Sequence, residues 1–194
     1  DLYMLLFKGP RDQLLSPLQS VCGIVEKRHT LPILSNVLME KDGEKLTLLA
    51  TDIEIQITTQ TPTVGSDKAA MTVAARKLQD ILRSLPETAE VSLTLDEKRL
   101  QLKAGKSRFN LQTLPAEDFP RMTLVEGQPT RLSITQGQMK RQLALVQYAM
   151  AQQDIRYYLN GLLLVTKGNE LRMVATDGHR LAYASETLAE AIAP

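Results

Sequence analysis

Ala50-Thr51-Asp52 recurs as Ala175-Thr176-Asp177, 125 positions later. The register holds without a gap over the 45 positions from 12 to 56, where ten residues are identical: Gln13, Leu18, Val21, Leu34, Leu38, Gly43, Leu46, Ala50, Thr51 and Asp52. Elsewhere apolar character is kept, as in Leu14 over Met139, Val37 over Leu162, Leu48 over Met173 and Leu49 over Val174. A repeat that preserves its hydrophobic pattern implies one fold used twice in succession. Unit one is expected to fill residues 1–124 as a complete domain. Unit two, residues 125–194, would hold counterparts of the first part of unit one, so a truncated second domain and a longer parent are expected.

Each unit opens on an amphipathic helix. Asp12 and Ser16 are candidate N-caps, Pro17 suits a first turn, and Leu14, Leu15, Leu18, Val21, Ile24 and Val25 keep helical spacing through to Glu26. Met139, Leu143, Val146, Ala149 and Met150 repeat the pattern in unit two. The period then changes to that of strands. Leu34 to Met39 and Leu46 to Ala50 flank Asp42-Gly43, a tight-hairpin signal, and Glu54 to Thr58 alternates. Leu162 to Val165, Leu171 to Ala175 and Arg180 to Ala184 repeat the plan around Lys167-Gly168-Asn169. A second helix is predicted over Ala74 to Leu85, stopped by Pro86, and is followed by strands at Val91 to Leu95, Leu100 to Lys103 and Arg108 to Gln112. The expected class is therefore α+β, a repeated helix plus antiparallel meander. Pro115 to Pro129 reads as the link between units.

Composition narrows the chemistry. The single cysteine, Cys22, has no internal disulfide partner, and with His29 and His179 it is too sparse for a usual zinc site, so no metal or cofactor is expected. No apolar run reaches the roughly 18 to 20 residues that span a bilayer, and Leu2 to Phe7 is short for a secretory signal, so a cytoplasmic address without membrane is expected. A phosphoesterase using Asp154, Asp177 and His179 is the enzymatic alternative. The sequence has no Gly-rich phosphate loop, nucleophile elbow or carboxylate cluster to support it. Asp177-Gly178-His179 is more simply a turn, because unit one carries Asp52-Ile53-Glu54 there, without histidine. No catalytic residue is assigned.

Net charge is +1, yet the charges separate. Lys27, Arg28, Arg76, Lys77, Arg83, Lys140 and Arg141 gather on or beside the helices, whereas Glu40, Asp42, Glu44, Asp52, Glu54, Glu87, Glu90, Asp96 and Glu97 fall in strands and turns. A cationic helical face would hold phosphates without reading bases. Solvated sides of amphipathic helices would show the same pattern, and charge alone does not separate the two. An aromatic content of 4% argues against a stacking platform for single strands.

Four segments carry a family resemblance. They are Thr30-Leu31-Pro32-Ile33-Leu34-Ser35-Asn36; Ser107-Arg108-Phe109 with Thr113-Leu114-Pro115-Ala116-Glu117-Asp118-Phe119-Pro120; Gln153 to Gly161; and Ala175-Thr176-Asp177-Gly178-His179-Arg180-Leu181. In order and content they resemble the bacterial sliding clamp family, the beta subunit of DNA polymerase III. The resemblance implies a non-catalytic processivity factor with three like-folded domains, helices on the inner face and sheets outside, closed head to tail into a homodimeric ring around double-stranded DNA. It implies as partners the polymerase III catalytic subunit, the clamp loader and other proteins that bind through short linear motifs. Position by position it implies duplex contacts at Arg28, Arg76, Gln153, Tyr157 and Tyr158. A peptide pocket is implied at Arg156, Leu159, Thr176, Gly178, His179, Arg180 and Leu181, and a subunit contact at Lys77, Ile81, Lys106, Arg108, Phe109 and Leu111. The third domain, which would complete the pocket and the contact, is absent from this chain.

Overall fold

The structure, a computed structural model, describes residues 3–26, 30–123 and 126–192. The chain divides into two compact units, Asp1–Leu124 and Val125–Pro194.

Unit one runs β1 (Met4–Pro10), α1 (Arg11–Cys22), β2 (Asn36–Asp42), β3 (Lys45–Thr51), β4 (Gln56–Pro62), β5 (Lys68–Ala74), α2 (Ala75–Ser84), β6 (Glu90–Asp96), β7 (Arg99–Ala104) and β8 (Ser107–Leu114). Its eight strands form one antiparallel sheet in the order β1-β6-β7-β8-β5-β2-β3-β4. Two meanders, β2-β3-β4 and β6-β7-β8, are joined by β5, which pairs with β2 and, through the short pairing Thr72↔Leu114 and Val73↔Thr113, with β8. Leu14, Leu18 and Val21 of α1 and Leu78 and Leu82 of α2 share a buried cluster with Val37, Met39, Leu46, Leu48, Leu93, Leu100 and Leu102, so both helices lie on one side of the sheet. Leu38 and Leu49 point the other way and pack with Ile33, Leu34 and Phe119 in a separate cluster. Strand β2 is therefore covered on both faces, and its sequence Asn-Val-Leu-Met is nearly continuous rather than alternating.

Sequence reasoning missed two strands. In β1 a register irregularity between Leu5 and Phe7 buries Leu6 and Phe7 together, which erases the alternation a strand normally shows. In β5, Lys-Ala-Ala-Met has weak strand propensity, and the strand exists because it pairs with β2 from Asn36↔Ala74 to Asp42↔Lys68.

Helix α1 also differs from expectation. It begins at Arg11 and ends at Cys22, not Glu26, and Pro17 lies inside it rather than in its first turn. An interior proline leaves the carbonyl four residues earlier without its N–H. That carbonyl, of Gln13, accepts instead from Thr61 Oγ1 on β4 at 2.6 Å. Beyond α1, Val25 N donates to Cys22 O at 3.0 Å, and Arg76 Nε donates to Val25 O at 3.1 Å.

Unit two contains α3 (Gln136–Val146) and a three-stranded sheet, β11-β10-β9, from β9 (Leu163–Lys167), β10 (Glu170–Thr176) and β11 (Leu181–Thr187). Thr135 and Gln138 close a capping box at the start of α3. Val146 and Ala149 pack on Leu171, Met173, Ala175, Ala182 and Ala184. Strand β10 faces the core at alternate positions, so it alternates as a half-buried strand should. Strands β4 and β11 start at Gln56 and Leu181, one or two residues later than the expected Glu54 and Arg180. In both units the intervening residues are spent on a turn.

Candidate partner-binding site and nucleic-acid face

The turn is built the same way twice. In unit two Thr176 Oγ1 donates to Arg180 O at 2.7 Å and accepts from Gly178 N at 3.1 Å, while Asp177 Oδ1 accepts from His179 N at 2.9 Å and Arg180 N at 3.0 Å. In unit one Thr51 Oγ1 donates to Ile55 O at 2.7 Å and accepts from Ile53 N at 3.0 Å, and Asp52 Oδ1 accepts from Glu54 N at 3.0 Å and Ile55 N at 2.7 Å. The central residue has positive φ in each, 90° at Gly178 and 81° at Ile53. The recurring Thr-Asp pair thus encodes an Asx-type turn. The backbone N–H groups of His179 and Arg180 hold the Asp177 carboxyl below the usual carboxylate range, with the Arg180 side chain adding to the effect. Asp177 Oδ1 is thus committed to the turn backbone, and Oδ2 accepts from Arg180 Nε at 3.3 Å.

Unit two decorates this turn with cations. Arg156 grips Asp154 through Nε to Oδ1 at 3.0 Å and Nη2 to Oδ2 at 2.9 Å, and its backbone N donates to Oδ1 at 2.8 Å. Those bonds push the Asp154 carboxyl down to about 2. Asn160 locks the same loop by donating to Asp154 O and accepting from Asp154 N, both at 3.0 Å. The guanidinium reaches the turn, since a Cβ on Gly178 would stand 3.4 Å from Arg156 Nη1. Leu159 N donates to Arg156 O at 2.9 Å. Arg180 donates to Tyr148 O and lies 5.4 Å from the Tyr148 ring centroid, a cation–π distance. The structure therefore connects Arg156 with Leu159 and with Gly178, and Gly178 with Thr176, His179, Arg180 and Leu181 through one turn. Asp154, Asn160 and Tyr148 position these groups and were not assigned that work from sequence. The Asp-x-Arg spacing was the one available signal for the first of them.

Beside the turn lies an apolar surface with an internal counterpart. Tyr158, Leu159, Leu163 and Val174 fall, at the 125-residue shift, on Ile33, Leu34, Leu38 and Leu49. In unit one Phe119 covers those four. In unit two Tyr158 is 68% and Leu163 60% exposed.

The residues expected to meet a duplex have different fates. Arg28 lies outside the described residues, as does Lys27. Arg76, at the start of α2, spends part of its guanidinium on Val25 O. Gln153 is exposed with φ 55°, and Tyr157 and Tyr158 sit on a 3-10 turn with their rings edge to face at 5.9 Å. Among the helix cations, Lys77, Arg83 and Lys140 are exposed, but Arg141 is bound by Glu186 through two 3.0 Å contacts. Gln138 and Gln142 donate to the same carboxylate at 2.9 and 2.8 Å.

The residues expected at a subunit contact lie on α2 and on the β7–β8 hairpin. Lys77, Lys106 and Arg108 are exposed, while Ile81 and Phe109 are partly buried against the core. Leu111 is 5% exposed and shares the inward face of β8 with Phe109, in the core cluster. Strand β8 pairs with β7 along Ser107 to Gln112, and its pairing with β5 involves Thr113 and Leu114, so among the described residues Ser107 to Gln112 have no strand on their other side.

Among the described residues no group of three or more His, Cys, Asp or Glu side chains is placed to hold a metal ion. No helix among them is long and apolar enough to cross a membrane.

A helix-backed, curled antiparallel sheet followed by a second helix-and-meander unit defines the DNA sliding-clamp class of fold. A crystal structure of the DNA polymerase III subunit beta from Pseudomonas aeruginosa superposes with a TM-score of 0.88 at 45% identity, covering 96% of this chain and 50% of that one. The family described as DNA polymerase III beta subunit, N-terminal domain, matches residues 5–123, and its central-domain counterpart matches residues 133–192. The chain belongs to the DNA polymerase III beta subunit family. The Beta sliding clamp of Pseudomonas aeruginosa is 49% identical over 181 residues, covering 92% of this chain and 49% of the relative. That of Escherichia coli is 44% identical over 187 residues, covering 96% and 51%. The chain thus spans about half the length of the curated relatives it matches.

Proposed function

We propose that this chain is part of a replicative sliding clamp, in which Asp1–Leu124 is the first clamp domain and Val125–Pro194 the leading part of the second. The carrying observation is the repetition, 125 residues apart, of one helix-backed unit with one Thr-Asp turn, in a chain of this family. A third domain in the whole protein would complete a head-to-tail homodimeric ring, and the free edge of β8 with Lys106, Arg108 and Phe109 favours an antiparallel strand from a neighbouring subunit there. Such a protein works in the cytoplasm, where its DNA is, and needs no bond-making residue. Its effect is topological, because a closed ring does not leave duplex DNA sideways, while weak phosphate contacts let it slide. Arg83 and Lys140, with Arg28, Arg76, Gln153, Tyr157 and Tyr158, supply those contacts.

The cationic turn of unit two serves as the tether. Arg156, His179 and Arg180, with the exposed Tyr158, Leu163 and Leu181 and the partly buried Leu159, give a composition suited to short linear peptides of the polymerase catalytic subunit, the clamp loader and other clamp-binding proteins. Unit one's Phe119 supports this reading, since a chain segment already fills the equivalent surface there.

The test uses the full-length protein in a primer-extension assay with its polymerase. Arg28→Ala with Lys140→Ala is expected to shorten products, and Gly178→Leu, which projects a side chain at the Arg156 guanidinium, is expected to abolish polymerase tethering while leaving ring assembly intact. Unchanged product lengths in both variants would sink the proposal.

A further inference from the structure

Strands β1 and β4 stand at opposite ends of the eight-stranded order, yet they are tied together. Thr63, the residue after β4, donates Oγ1 to Leu6 O of β1 at 2.8 Å. Lys41 Nζ donates to Leu5 O of β1 at 2.8 Å and to Val64 O at 2.5 Å. Among the described residues the backbone ladder of β1 is made with β6 and that of β4 with β3, and no ladder joins β1 to β4. The sheet therefore curls until its two free edges meet, and side chains seal the seam.

The seal is built around a buried charge. Lys41 is 3% exposed and has no carboxylate partner among the described residues; its ammonium is held by peptide carbonyls. An ammonium out of water is costly unless its protons are accepted. Lys41 follows Val37 and Met39 on the core-facing side of β2, where alternation carries it to the end of the strand nearest both edges. Gly65 completes the fit: φ is +90°, and a Cβ there would stand 3.1 Å from Lys41 Nζ. Further along, Thr59 and Thr61 of β4 donate to the backbone of α1, the helix that directly continues β1. One end of the seam is thus held by the helix and the other by Lys41 and Thr63.

We propose that Lys41 is the latch of a side-chain-sealed seam between β1 and β4, and that this seam is where unit one opens locally. A backbone ladder spreads its hold over many bonds, whereas the end of this closure away from the helix depends on two side chains, Lys41 and Thr63. Releasing the latch frees two strand edges at once, the state from which edge-to-edge association starts.

Native-state hydrogen exchange on the whole chain tests the latch. Lys41→Met keeps an unbranched side chain one atom shorter and removes the donors. It is expected to speed exchange in the segments Leu5–Phe7 and Thr63–Gly65 by about tenfold or more, with the Leu38↔Leu49 region of β2 and β3 unchanged. Thr63→Val, a milder change that leaves Leu6 O without its hydroxyl, is expected to accelerate the same two segments. The double variant is expected to add little to the faster single one, because both release one seam. Exchange that rises uniformly over unit one, or does not rise in these segments, overturns the latch; so does a double variant whose effects simply add. Should Lys41→Met not fold, Thr63→Val alone decides, by whether its acceleration is confined to the two segments.

Discussion

The hydroxyl of Thr61 donates to the carbonyl of Gln13 at 2.6 Å, and that carbonyl is the one Pro17 leaves without an N–H. A strand side chain thereby completes a helix that its own sequence interrupts. Thr61→Val is expected to destabilise unit one by about 1 to 3 kcal/mol in urea unfolding, the cost of an unsatisfied buried acceptor. In a Pro17→Ala background the same change should cost clearly less, since Ala at 17 restores the missing donor. Equal costs in both backgrounds would show that the bond does not compensate for the proline.

Ile53 and Gly178 occupy the same place in the two turns, with φ of 81° and 90°. A β-branched residue is strained there, by about 1 to 2 kcal/mol, whereas glycine is not. Ile53→Gly is therefore expected to raise unit one's stability by up to about 1 kcal/mol after glycine's entropic cost. Gly178→Ile should lower that of unit two, a difference that thermal unfolding of the two variants reads directly.

Arg156 depresses Asp154 to about 2. Since the folded carboxyl titrates below its unfolded value of roughly 3.9, the contact's contribution is complete above that value and is lost as pH falls through about 2. Carbon-detected NMR of the Asp154 carboxyl should show a midpoint near 2, returning toward the ordinary carboxylate range in Arg156→Ala. The pair is solvent-exposed, so a small effect on global stability is expected.

Lys140 and Arg141 are exposed neighbours with different commitments, since Glu186 holds Arg141. In the full-length protein, Lys140→Ala is expected to reduce the salt slope of duplex binding by about 0.9, one phosphate's worth. Arg141→Ala should change that slope less and unfold unit two more easily, because Glu186 loses a partner. Fluorescence titrations across a range of salt concentrations compare the two.

Much of this was legible in the chain. The 125-residue register exposed the repeat, and the Asp-Gly and Lys-Gly-Asn turns located the hairpins, because these signals are local and are written in a few adjacent residues. Strands β1 and β5 were not legible. One is broken by a register irregularity and the other has weak propensity, so each exists through pairing with distant strands. The Thr-Asp repetition was visible as letters, but that it bends Ile53 and Gly178 alike, and spends the Asp177 carboxylate on the turn, appears only in the hydrogen bonds.

Charge shows the same division. The sequence alone determined that the cations cluster on or beside helices and that a paired unit follows a single plan. Tertiary structure decided how those cations are committed: Arg141 is held by Glu186 from β11, and Arg76 spends part of its guanidinium on the carbonyl of Val25. It also turned Leu111 into the core and set the ammonium of Lys41 between two sheet edges. Periodicity and turn chemistry are properties of neighbours along the chain, whereas a side chain's partner is whatever the folded backbone brings within about 3 Å, often from tens of residues away.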